Sequence, residues 1–218
     1  MSNCHQIPGS RLVDPLLPFL ARSIIHPILP DLIPPSTWGS NLSSLLAKPS
    51  WDALRQHAFA ARGNLCQVCG EKQGALECHE IWAYSLPPSD APEGTIGVQR
   101  LIGLAALCNP CHAMFHYGLA NIQGRLEPVK ARLIAVNRWT EDDFWAHHQD
   151  MGARYKKRME VHWALDVSLV AGLGRLVIQG GKGGWTMGDQ GELTSPPRQG
   201  GMPGWTVLMG ALVHGGRP

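Results

Sequence analysis

Two cysteine pairs carry the strongest chemical signal in the sequence. Cys66-Gln-Val-Cys69 and Cys108-Asn-Pro-Cys111 each suit a tight knuckle whose two thiolates take two corners of a tetrahedron. Together they predict a four-thiolate zinc site with no open corner, structural in role, whose binding free energy contributes directly to folding. A second layer consists of His79, His112 and His116. The last two are four apart, so on a helix they project from one face. If His79 faces them from a neighbouring strand, three imidazoles could hold one divalent ion and leave positions for water and a phosphate oxygen, which predicts a catalytic metal. Cys4 and Cys78 lie outside both pairs and read as small buried hydrophobes without a chemical role.

The elements that must position these groups follow from local pattern. Trp51, Leu54, Ala58 and Ala61 recur at helical spacing after Ser50, a candidate N-cap, with Gly63 as the stop. From Ala75 to Trp82, Leu76 and Cys78 alternate with Glu77 and His79 as on a half-buried strand. A Pro-, Ser- and Asp-rich loop over 85–97 leads to a second apolar run, Val98 to Leu107. Asn109 as N-cap and Pro110 at the first helical position then start a helix of about two turns that stops at Gly118. Val129, Leu133 and Val136 mark a further helix, and Thr140 with Asp143 makes a capping-box-like start before Phe144, His147, Met151 and Tyr155.

Composition sets the outer organisation. Eight of the 17 prolines fall in the first 50 residues, which excludes a long regular helix there and marks residues 1–48 as an apolar arm. Residues 49–170 read as the zinc domain with its bracing helices. From residue 171 the chain holds 14 of its 25 glycines without helical or strand period, so 171–218 reads as a disordered tail. The fold class is therefore α+β: a zinc-stapled β-hairpin plus helix, flanked by helices. At 44% hydrophobic and 17% charged, with a formal net charge of +2, the chain lacks the basic excess of a sequence-blind nucleic-acid coat. Prolines and charges interrupt every apolar run before about 20 residues, so no membrane partner is expected. Without a secretory leader pattern, and with cysteines spaced for metal, the reading is cytoplasmic.

CQVCG, LECHEIW and GLAALCNPCHAMFH together resemble the HNH endonuclease superfamily, whose ββα-metal motif is often buttressed by such cysteine pairs. The close resemblance spans 66–116. A looser one, to uncharacterised bacterial proteins with a His-Glu version of the motif, runs from PSTWGSNL to the LDVSL segment. It implies hydrolysis of phosphodiester bonds in DNA, with His79, His112 and His116 as ligands of a second divalent ion (zinc, magnesium or manganese). Glu80 then takes the place of the water-activating base and Arg100 that of a clamp on the scissile phosphate. A one-residue shift would instead make Cys78 the ligand and His79 the base; the first register is preferred.

This chain departs from the family in two places. Its pair reads His79-Glu80, and a carboxylate of ordinary pKa, about 4.3, accepts a proton less readily than imidazole. Near the family's middle asparagine stands Gly103, which has no side chain to orient anything. The alternative reading is a catalytically silent zinc module of the same fold that binds nucleic acid or a protein partner. A redox or other hydrolytic role for Cys78 or a CxxC dithiol ranks last, because no βαβ unit, nucleophile elbow or phosphate loop accompanies it. No small-molecule cofactor is expected. For the basic cluster Arg154, Lys156, Lys157 and Arg158, an ordinary solvated helix face outweighs phosphate tracking.

Overall fold

The structure, a computed structural model, describes residues 27–72, 74–171, 186–187, 192–195 and 206–208. Its centre is the hairpin of β1 (Leu76–Ser85) and β2 (Gly97–Cys108), paired antiparallel from Leu76 opposite Cys108 to Ser85 opposite Val98. The register slips between Ile81 and Trp82: Ile81 faces Gly103 and Trp82 faces Leu101, leaving Ile102 as the extra residue of a bulge. β2 also pairs in parallel with β3 (Trp163–Asp166) through Gly97–Arg100, and beyond that pairing its apolar run is continuous because Leu101 and Leu104 enter one core and Ala105 and Leu107 the other. Leu101, Leu104, Ala105, Ala106 and Leu107 are all buried.

Helices cover both faces of the sheet. On one face lie α1 (Leu42–Leu45) and α2 (Lys48–Ala60), with Leu42, Leu45, Leu54 and Ala58 packed against Leu101, Leu104 and Leu165. On the other, α3 (Asn109–Phe115), α4 (Tyr117–Ile122), α5 (Leu126–Asn137) and α6 (Glu141–Met159) gather Met114, Leu133 and Phe144 around Ala105 and Leu107. The α+β class therefore stands, as a mixed sheet between two helical layers.

Cap geometry corrects two expectations. α2 begins at Lys48 with Pro49 in its first turn, so Ser50 lies inside the helix and Ala47 is the N-cap. Pro49 supplies the start itself, its fixed φ suiting a position where an N–H would be unsatisfied anyway. Likewise Cys108, not Asn109, is the N-cap of α3, and that helix ends at Phe115. The capping box of α6 is present as read, with Thr140 and Asp143 bonded reciprocally. Acidic residues fill the first turn of α6 and Lys156, Lys157 and Arg158 its last, where they complement the helix dipole.

The described part of the arm is built into the domain. Ile28 is buried, and its N–H and C=O are both held by the Asn137 side chain of α5, at 2.7 and 2.9 Å. Residues 1–26 lie outside the described residues. After β3, α7 (Ser168–Ala171) returns to the sheet. Three short strands from the glycine-rich stretch then extend it: β4 (Thr186–Met187), β5 (Glu192–Thr194) and β6 (Thr206–Leu208), in the order β1-β2-β3-β6-β5-β4. Where composition suggested disorder, these residues form strands, and Val207 is buried beside β3. Two or three residues between glycines are too few to show a period. The remainder of the 171–218 stretch lies outside the described residues.

One glycine fixes the seam between β2 and β3. A Cβ at Gly97 would stand 2.7 Å from ring carbons of Trp163, its partner across the strand pair. Gly97→Ala is expected to cost about 1–3 kcal/mol through overpacking. Urea denaturation checks this; an unchanged midpoint would show that Trp163 moves aside freely.

Candidate metal centres

The first CxxC sits between α2 and β1, in a knuckle that Gly70 turns with a φ of +72°. Its loop is tied to the sheet by the Gln67 N–H, which donates to the Ala106 carbonyl at 2.9 Å, and closed by the Gly70 N–H on the Cys66 carbonyl at 2.8 Å. The second CxxC spans the end of β2 and the first turn of α3. The four sulfurs lie within 4.8 Å of one another, with Cys69 and Cys108 at 3.8 Å. Sulfurs about 2.3 Å from a tetrahedral zinc stand about 3.8 Å apart, so the cluster could hold a metal ion such as zinc.

The surroundings act differently on the sulfurs: burial pushes the Cys69 and Cys111 thiols up, while Cys66 goes down. Burial works against ionisation of Cys66, but backbone N–H groups of Cys69, Cys108 and Val68 outweigh it and bring the thiol down to about 7. Burial pushes the Cys111 thiol up, and the Arg132 guanidinium, donating to its sulfur at 3.0 Å, opposes that. Arg132 escaped the sequence reading because it comes from α5, outside any motif.

The three histidines also converge. His79 is buried on β1 against Phe115, with ring centroids 4.3 Å apart, and its centroid lies 5.2 Å from that of His112 and 5.4 Å from that of His116. The Nε2 atoms of His112 and His116 approach to 2.9 Å. A carboxylate can only accept, so the bond from His112 Nδ1 to Glu77 puts the proton on Nδ1 and frees Nε2 as a lone pair. Glu77 also accepts from Asn109 Nδ2 at 3.1 Å. Burial and the neighbouring His112 and His116 hold His79 well below its ordinary pKa, while burial and His112 bring His116 to about 4. Three converging imidazoles, two of them held neutral, suit a divalent cation. Glu77 was legible in hindsight: it lies two residues before His79, on the same face of the strand.

The other predicted site residues lie elsewhere. Glu80 points to the opposite face of β1, where its Oε1 accepts from the Leu42 N–H at 2.8 Å. Burial pushes its carboxyl up to about 7 against the opposing bonds from Leu42 and Trp82. Arg100 donates to Asp166 at 2.7 Å across the β2–β3 seam, away from the histidines. Gly103 sits opposite Ile81 at the bulge. Cys78 packs into the α1–α2 core with its thiol pushed up by burial to about 12, an inert group. In the basic cluster, Arg154 pairs with Asp150 at 2.6 Å, and Arg158 stacks on Tyr84 while donating to the Leu32 carbonyl at 2.7 Å.

A cavity of about 820 Å³ wraps the open edge of β1 and reaches both His79 and Glu80. Trp38, Trp51, Trp82 and Tyr155 contribute to its wall, and no Lys or Arg among the described residues lines it. Among the described residues no helix is long and apolar enough to cross a membrane. Comparison of the chain with protein-family models, curated proteins and solved structures finds no match.

Two outcomes are expected. Cys108→Ser should release the ion of the sulfur site and lower the thermal melt; a melt unmoved by chelation of the parent protein would remove the structural-metal assignment. Glu77→Gln should weaken divalent-ion affinity at the histidines by about 10–100-fold with the fold retained, read by titration calorimetry.

Proposed function

We propose that the chain is a metal-dependent endonuclease of HNH type that hydrolyses phosphodiester bonds in DNA, with zinc at the four cysteines. The observation that carries this reading is the convergence of His79, His112 and His116 on a strand–strand–helix unit whose helix starts at the sulfur cluster. His79, His112 and His116 would hold the divalent ion, which would supply positive charge for phosphate oxygens during attack by water. Glu77 fixes the tautomer of His112. Glu80 borders the same cavity from the other face of β1, and a carboxyl brought to about 7 is a competent acceptor for a proton from water entering along the strand edge. Arg100, paired with Asp166, contributes no charge to the cavity wall, so neutralisation of the phosphate falls to the ion.

The second reading, a silent zinc module that binds nucleic acid or protein, is favoured by one specific observation. The cavity wall carries no described Lys or Arg, and Glu80 is engaged with the backbone of α1. Nicking of supercoiled plasmid by chelated protein separates the two, with zinc, magnesium, manganese or nickel restored one at a time. Ion-dependent nicking is expected, reduced at least about 100-fold in His112→Ala and strongly in Glu80→Ala. No cutting with any ion, while zinc stays bound near one per chain, would put the silent module first.

A further inference from the structure

The basic cluster of α6 is divided by the fold. Arg154 and Arg158 are four apart and so share one face of the helix, and both line a small pocket of about 130 Å³, whereas Lys156 and Lys157 do not. The pocket opens beside the large cavity, since Asp31, Leu32, Trp82 and Met151 belong to the walls of both. Its space is well above what one water molecule needs.

Arg158 is fixed in place. Its guanidinium lies over the Tyr84 ring, 3.5 Å from the centroid, while its Nη1 donates to the Leu32 carbonyl at 2.7 Å and its own carbonyl accepts from Trp163 Nε1 at 2.8 Å. Arg154 pairs with Asp150 through Nη2, at 2.6 Å. Both guanidiniums keep further N–H groups that no described residue accepts. Burial holds Arg158 below its ordinary pKa; Tyr84 and Asp31 oppose that, and the like charge of Arg154 adds to it. Asp31 is the one acidic residue among the described residues of the wall, and its Oδ2 is turned to His79 Nε2, at 3.4 Å, on the side of the large cavity.

A third donor stands in the same wall. The Tyr84 hydroxyl is buried and has no hydrogen-bond partner among the described residues. Burial and then Asp31 push the phenol up, with Arg158 opposing, so the proton stays on and the group can donate. A buried donor without an acceptor carries a desolvation cost that an acceptor in the pocket removes. Two guanidiniums and a hydroxyl call for one negative group with several oxygens, and guanidinium N–H groups match phosphate oxygens in both charge and geometry.

We propose that Arg154, Arg158 and Tyr84 form a binding site for a phosphate group, free or on a nucleic-acid backbone, beside the histidine cavity.

The test uses the full chain with zinc retained in the sulfur site and no other divalent ion, so its outcome is independent of the histidine-site reading. Titration calorimetry with inorganic phosphate, at an ionic strength held constant with chloride, should show one phosphate bound per chain. Tyr84→Phe, which keeps the ring under Arg158, and Arg154→Gln should each weaken that binding by about 10–100-fold without lowering the melt of the phosphate-free protein. Lys156→Gln, on the same helix but outside the pocket, should bind phosphate as the parent does. No saturable binding, an affinity unchanged in Tyr84→Phe or in Arg154→Gln, or an equal loss in Lys156→Gln would overturn the site. A short single-stranded oligodeoxynucleotide distinguishes the source: displacement of inorganic phosphate supports a backbone phosphate as the occupant, and phosphate binding undisturbed by the oligonucleotide supports a free one.

Discussion

The junction at Cys108–His112 governs the arrangement of both centres. Cys111 and His112 are consecutive residues of one helical turn, so their side chains diverge by about 100°. One joins the sulfur cluster buried behind β2, and the other faces the histidines on β1. Fixing the first turn of α3 through Cys108 and Cys111 therefore fixes the direction of His112. His116 follows one turn later, where the backbone leaves α3 and enters α4. Because Cys108 also ends β2, any movement of the sulfur cluster is transmitted to the strand pair that carries His79. The histidine geometry is downstream of the thiolate geometry.

Burial sets the chemistry of what is so positioned. His79 and His116 are kept neutral by burial first and then by the neighbouring His112, with His116 adding to the effect on His79, and the neutral state offers lone pairs. The same surroundings work against charge on Asp31, whose carboxyl is pushed up to about 8 by burial and then by Glu80, with Arg158 opposing. Glu77 differs: burial raises its pKa, but bonds from Asn109 and His112 win and hold it below the ordinary value. Two carboxylates near the trio thus have different conditions. Glu77 is satisfied by donors and orients a ring, whereas Asp31 has its nearest charged-type partner in a neutral imidazole.

Much of this was legible in the residues. Cysteine spacing identified the sulfur cluster because two knuckles need no long-range information beyond their number. The i, i+4 histidines and the His79 strand were readable from period, although the helix breaks at His116 rather than continuing to Gly118. What escaped were groups whose role depends on tertiary approach: Arg132 from α5, Asp31 from the arm, and the short Thr206–Leu208 strand that finds β3. Proline content correctly excluded a long helix in the arm. It said nothing of Ile28, Leu42 or Leu45, which fill two cores on opposite sides of the sheet. The His79-Glu80 pair shows the limit of motif matching most directly. Adjacent strand residues face opposite ways, so a dipeptide that reads as ligand-and-base is split by the sheet unless the cavity turns its edge.

That split, together with the charge pattern, links ion and substrate under the nuclease reading. Without an ion the described cavity wall offers a polyanion neutral imidazoles, Asp31 and Glu80, and no described Lys or Arg. Burial works against charge on both carboxyls, and where either is ionised it repels a phosphate with little screening in a partly enclosed site. A divalent ion would supply two positive charges, enough to offset both carboxyls even when both are ionised. Under that reading phosphate affinity at the histidines would depend on metal occupancy, and the aromatic wall of Trp38, Trp51 and Tyr155 would offer a surface on which an unstacked base could lie.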